Sequence, residues 1–139
     1  EADRRKALIL LSDGQDLNSK MKLVDALEMA HTAHLAIYAI GTSRFSASPE
    51  KRGEDLLTRL AEETGGRAFF PYSVERLESS FDLINQELRS QYSITYVPET
   101  RKADGQFRKI EVKVRDDKGL TVRHRHGYYA ASPETAMKR

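Results

Sequence analysis

The chain has 139 residues, 39% hydrophobic and 32% charged, with no cysteine and a mean hydropathy of −0.63. That length suits one domain with a real core, and no apolar run approaches the ~20 residues of a membrane-spanning helix. Without cysteine there is no disulfide framework, zinc–thiolate site or thiol nucleophile. The 23 basic and 21 acidic residues leave a net charge of +2, so nothing in the balance calls for nucleic acid as a partner. The amino end lacks the charged, apolar, small-residue order of a signal peptide.

After a charged lead-in from Glu1 to Lys6, the five apolar residues from Ala7 to Leu11 run straight into Ser12-Asp13-Gly14-Gln15-Asp16. An apolar run of strand length without alternation suits a parallel strand covered on both faces, here Ala7 to Ser12. Ser19 is the expected N-cap of a helix in which Leu23, Leu27, Ala30 and His34 recur at helical spacing, running to about His34. Leu35 to Gly41 is a second buried strand, which makes a βαβ unit with parallel strands. Thr42 to Gly53, rich in Ser, Thr, Pro and charge, reads as a loop at the same sheet end as Asp13. A second helix carries Leu56, Leu57, Leu60, Ala61 and Thr64 and stops at Gly65-Gly66. Arg67 to Phe70 is a third short strand. Ser73 caps a third helix with Leu77, Phe81, Ile84 and Leu88 as its apolar stripe, and with Glu75, Arg76, Asp82, Asn85, Glu87 and Arg89 on its polar face.

From Gln91 the hydrophobic period changes from helical to two, marking a new architecture. Tyr92, Ile94 and Tyr96 alternate with polar positions. Ile110, Val112 and Val114 define one buried face of a second strand, with Lys109, Glu111, Lys113 and Arg115 on the other. Asp116-Asp117-Lys118-Gly119 is the expected hairpin turn, after which Leu120 and Val122 resume the buried face while Thr121, Arg123 and Arg125 face water. The expected organisation is residues 1–90 as an α/β unit, 91–130 as a three-stranded antiparallel extension, and 131–139 as a disordered tail.

The order of these pieces carries a resemblance. An apolar strand entering Ser12-Asp13-Gly14-x-Asp16, a helix, Ile37-Tyr38-Ala39-Ile40-Gly41, then Leu57-x-x-Leu60-Ala61-x-x-Thr64-Gly65-Gly66-x-x-Phe69 resembles the C-terminal half of a von Willebrand factor A domain. The ending, from Tyr92 through Tyr96, Gly105, Val112 and Val114 to Gly127-Tyr128, is similar to the tail of a bacterial group of such proteins. The resemblance implies a Rossmann-like parallel sheet with helices on both faces, here strands four to six of the parent sheet. It also implies a Mg²⁺-dependent adhesion site at the carboxyl edge, built from an Asp-x-Ser-x-Ser motif, a threonine and an aspartate after the fourth strand. Only that aspartate is matched, as Asp13, with Ser12 and Asp16 in the same loop. No Asp-x-Ser-x-Ser occurs in the sequence, and one carboxylate does not satisfy a cation that wants about six oxygen ligands. Mg²⁺ is therefore expected in an intact protein and no cofactor in this chain.

Each candidate has a plainer reading. Asp13 can order a βα turn through its own backbone, and Asp16 can start a helix. His31 with His34, and His124 with His126, have spacings that metals use, but no acidic or cysteine partner follows at a recognisable interval, which leaves structural histidines as the alternative. The run Arg123-His124-Arg125-His126 reads as a solvated strand face, without the interleaved aromatics of a nucleic-acid platform. No nucleophile elbow or phosphate-cradling glycine loop is found, so no enzyme is expected. The expected function is a non-enzymatic protein-binding or adhesion module, with a structural role through β-edge pairing as the alternative. The resemblance further implies an extracytoplasmic location, and the absence of a long apolar run leads to the expectation of no membrane insertion. By the resemblance, the Ala7 to Ser12 strand would lie beside strand one of the parent sheet; with that neighbour absent here, its apolar edge is expected to recruit a second copy as a two-fold dimer, or to be covered by the hairpin.

Overall fold

The computed structural model describes residues 6–15, 20–42, 51–99, 102–115 and 119–132. Three strands, β1 (Lys6–Ser12), β2 (Leu35–Gly41) and β3 (Ala68–Phe69), form a parallel sheet in the order β1-β2-β3. Parallel strands need long crossovers, and these are supplied by helices α1 (Leu23–Thr32) and α2 (Lys51–Thr64). Helix α3 (Val74–Arg89) follows β3, and a separate antiparallel pair, β4 (Phe107–Lys109) with β5 (Gly127–Tyr129), completes the described elements.

The core is centred on β2, because its side chains alternate between two covered faces. Tyr38 and Ile40 pack with Phe69 and with Ile84 of α3, flanked by Ala36, Leu77 and Leu88. Ala39, on the opposite face, packs with Leu57 and Ala61 of α2, flanked by Leu10, Ala68 and Phe70. The run Leu35 to Gly41 is thus continuous in hydrophobicity because both sides of it are dry. β1 has equally apolar residues but occupies the sheet edge, with Leu8, Ile9 and Leu11 exposed. Burial on both faces, the expectation from its composition, holds for β2 and fails for β1.

Thr64 ties α2 to β2. Its buried hydroxyl accepts from the Ile37 backbone N–H at 3.0 Å and donates to the Leu60 carbonyl at 2.9 Å. Gly65 then takes φ +84° and ends the helix, a conformation that costs a residue with Cβ. Replacing Thr64 by valine keeps the shape and strands the Ile37 N–H, so a loss of about 1–3 kcal/mol is expected in urea denaturation. A serine at 64 should recover most of it.

Several boundaries differ from the sequence reading. α1 begins after Lys22, whose N–H donates to the Asp25 carboxylate at 2.9 Å; Ser19 lies outside the described residues. The helix stops at Thr32, and His34, expected as its last residue, takes a positive φ of 54°. α2 starts at Lys51, inside the stretch read as a loop, whose residues 43–50 lie outside the described ones. On α3 the inward position is the buried Ser80 and not Phe81, which is exposed. The Ser80 hydroxyl donates to the Arg76 carbonyl at 2.8 Å, so it enters the core without an unmet hydrogen bond. The Ser73 cap holds, its hydroxyl accepting from the Arg76 N–H.

The extension has two strands among the described residues where three were expected. Tyr92 to Tyr96 joins no ladder, and Tyr92 and Ile94 are exposed. The strand expected over Lys109 to Arg115 pairs earlier, from Phe107, and its partner is Gly127–Tyr129 in place of Leu120 and Val122, which are exposed. Hydrogen bonds continue the ladder at each end, from the Ile110 N–H to the His126 carbonyl (2.8 Å) at one, and from the Ala130 N–H to the Gln106 carbonyl (2.9 Å) and the Gly105 N–H to the Ala131 carbonyl (3.4 Å) at the other. The shift has a packing reason. Phe107 and Tyr129 are cross-strand partners whose rings meet edge-on at 5.1 Å, and together they face α1. Gly119 has the positive φ expected of the turn, while Asp116, Asp117 and Lys118 lie outside the described residues, as does the tail from residue 133.

Candidate functional site

Ser12, Asp13, Gly14 and Gln15 leave the carboxyl end of β1, the sheet end where open α/β folds place ligands. The Ser12 carbonyl accepts from the Thr42 N–H at 2.9 Å, which joins this loop to the end of β2. The polar side chains turn back on their own backbone. Ser12 Oγ accepts from the Gly14 N–H, and Asp13 Oδ1 accepts from the Gln15 N–H, both at 3.0 Å. The second contact is an Asx-turn, the structural role weighed for Asp13. Gly14 is buried at φ +79° against the backbone of Gly53 in the first turn of α2. Its missing side chain lets the loop and the helix touch.

Asp13 is exposed just past the carboxyl end of β1, with one oxygen engaged in the turn. Asp16 lies outside the described residues. Among those described, no three His, Asp or Glu residues gather closely enough to hold a metal ion. One carboxylate and one hydroxyl, both already accepting backbone N–H groups, do not make the donor set Mg²⁺ requires, so the described residues do not fit the ion by themselves.

A second cluster was not evident from spacing. All four histidines of the chain lie where the extension meets α1 and α2. His31, only 5% exposed on the last turn of α1, packs its ring 5.4 Å from Phe107 and 6.4 Å from Tyr129. Burial holds its pKa below the ordinary 6.5; Glu63 pulls the other way, and Arg125 and His126 add to the lowering. His34 Nδ1 accepts from the Arg125 guanidinium at 2.6 Å, while that guanidinium also lies over the Tyr128 ring. His126 is held twice by Glu63, through its N–H to the Glu63 carbonyl (3.0 Å) and through Nδ1 to the carboxylate (3.3 Å). His124 Nδ1 donates to the Arg125 carbonyl at 2.9 Å. Among the described residues neither histidine pair gathers a third His, Asp or Glu, and of the run Arg123 to His126, expected as a solvated face, Arg123 and His126 are exposed while His124 and Arg125 are half-buried.

Beside this segment is a cleft of about 460 Å³, bordered by Thr58 and Glu62 of α2, by Arg67, and by Arg123, His124 and His126 of the extension. Arg67 and Arg123 converge on one carboxylate, Glu87, at 3.2 and 3.3 Å. Sequence reasoning missed Glu63 and Glu87 because each reads as one more polar position on a helix surface.

No family model and no curated protein matches the sequence. Among solved structures, the chain is similar to the crystal structure of a protein from Vibrio fischeri described as an uncharacterized membrane spanning protein. The two share 25% identity and superpose with a TM-score of 0.53, over 60% of this chain and 47% of that one. The chain thus spans about half of that neighbour's length. Among the described residues, no helix is long and apolar enough to cross a membrane.

Proposed function

We propose that this chain is a non-enzymatic protein-binding module of adhesion type, built on the C-terminal half of a von Willebrand factor A-type sheet. The observation that supports this reading is the parallel β1-β2-β3 order with Ser12, Asp13 and Gly14 at the carboxyl end of β1. In this reading Asp13 contributes one oxygen to a Mg²⁺ site whose principal ligands, an Asp-x-Ser-x-Ser and a threonine, come from strands beyond β1. An extracytoplasmic location goes with it, and the Vibrio fischeri protein's description as membrane-spanning is compatible with one. The test is calorimetric titration of Mg²⁺ or Mn²⁺ into a protein in which this chain stands beside such a motif. Heat and a thermal shift that disappear in Asp13→Ala are expected; their absence in the unaltered protein eliminates metal bridging.

The exposed edge of β1 favours a second reading, assembly by strand pairing without metal. Leu8, Ile9 and Leu11 are exposed on a strand with no described neighbour on its outer side, and such an edge is a template for another strand. A two-fold partner copy would pair residues 7–12 with themselves. Sedimentation at tens of micromolar should then show a dimer that Leu11→Lys converts to monomer. A monomer whose β1 amides exchange freely contradicts this reading and leaves the first untouched.

A further inference from the structure

We infer that His31 is a proton-operated latch: neutral, it holds the β4–β5 pair against α1, and on protonation it lets that pair go. The geometry is a three-ring cluster with the imidazole on the body side and Phe107 and Tyr129 on the extension side. These rings are the apolar part of the attachment, and Gly127 lets the Phe107 ring lie over the β5 backbone within the pair. A Cβ at residue 127 would run into the Phe107 ring and the Arg108 carbonyl. An imidazolium at residue 31 would lose its water and gain no hydrogen-bonding carboxylate in exchange.

The charged and titratable groups around it decide the direction. From α2 comes Glu63, whose carboxylate is committed to His126 at 3.3 Å. From the extension come Arg125 and His126, which oppose a further positive charge, and the Tyr129 ring, 6.4 Å away. On its own helix's exit, His34 accepts from Arg125. Burial outweighs the Glu63 attraction, and the pKa of the docked ring lies below 6.5. A released ring regains the ordinary value, so the released form binds the proton more tightly. Docking is therefore complete above about pH 6.5 and weakens as the pH falls from there towards the docked ring's own pKa. The His126 and Glu63 side chains are 49% and 29% exposed, and a pair so open to water contributes little.

The release is local. The His126 N–H to Glu63 carbonyl bond carries no titrating group, and Gly65 packs directly on the backbone of His124 and Arg125. This hinge point stays while the strands beyond it open.

Hydrogen exchange on the full chain reads the latch directly. The Ile110 and Ala130 amides, bonded within the β4–β5 ladder, report release because a two-stranded pair without the body behind it is marginal in water, and the Ala39 amide, bonded to the Arg67 carbonyl, reports the body. Between about pH 7.5 and about pH 5.5, after correction for intrinsic rates, the ladder amides should lose up to about tenfold in protection per unit by which the docked ring's pKa is lowered. Ala39 should not change. In His31→Phe the ladder should stay protected at both values. Equal wild-type protection at the two values overturns the proposal, as does a His31→Phe variant with the wild-type decline. Should that variant fail to fold, the wild-type His31 ring signals decide alone: titration below 6.5 is expected, and titration at or above it defeats the latch.

Discussion

Replacing Ile40 by alanine is expected to cost about 2–5 kcal/mol, a large part of the roughly 5–15 kcal/mol by which a domain is stable. Ile40 is fully buried in the central strand, wedged with Tyr38 against Phe69 and Ile84. Its neighbours come from a strand and a helix that cannot both close on the void, so the transfer and cavity contributions add. The same truncation at Leu11, paired with Ile40 across the β1–β2 ladder, has a different outcome. Leu11 is 52% exposed, and truncating it should cost well under the ~1.5–3 kcal/mol of a fully buried leucine. Urea denaturation of the two variants at low protein concentration measures the contrast. Similar losses at both positions would mean that β1 is covered in solution, and a loss at Leu11 growing with concentration would identify a second copy as the cover.

That contrast also marks what the sequence could and could not tell. Two apolar runs of the same character suit doubly covered strands by composition, and only the missing neighbour that the resemblance implied marked the first of them as the edge it is. Composition reports how much a strand can bury, while its place in the sheet depends on neighbours contributed from elsewhere. Helix phase was ambiguous for a similar reason. At 3.6 residues per turn, positions 80 and 81 both lie near the inward line of α3, and the larger, more apolar Phe81 was the natural choice. Ser80 took the place because its hydroxyl could return to the Arg76 carbonyl. In the extension, alternation named no partner, so Tyr92 to Tyr96 was given a ladder it does not have, and Leu120 and Val122 a buried face they do not take.

The location of the candidate site followed from sequence because an Asp-Gly after an apolar strand can only fall at a strand end. Its chemistry did not, since an Asx-turn and a metal ligand make the same demand on residue type. The histidine cluster was beyond reach altogether. His34 and Arg125 are separated by 91 positions, and nothing in either local pattern points to the other.

The Gly14–Gly53 contact decides whether the Asp13 loop is a fixed feature or an incidental one, and Gly14→Ala should disrupt it strongly. Two costs combine. At φ +79° an alanine pays roughly 1–2 kcal/mol for the left-handed conformation alone. Its Cβ would also overlap the Gly53 carbonyl, with the carbonyl carbon at 2.5 Å and Cα at 2.6 Å. Backbone stands on both sides, so no rotamer change relieves the overlap, and an insertion of this kind adds about 1–3 kcal/mol. The reverse change meets the same wall, because a Cβ on Gly53 would lie 2.5 Å from the Asp13 carbonyl. The loop must then lift from α2 or α2 must shift, and either movement displaces the Asp13 carboxylate from the carboxyl edge. A loss of stability with faster exchange of the Gln15 amide is expected, since that amide is held by Asp13 Oδ1. Asp13→Asn, which keeps the acceptor oxygen and removes the charge, should leave stability and exchange near wild type. In a metal-bridging protein both variants abolish the Mg²⁺ heat, the asparagine through charge and the alanine through position. Wild-type stability in Gly14→Ala would show that the loop is not seated on α2 in solution, and the geometric case for Asp13 as a placed ligand would go with it.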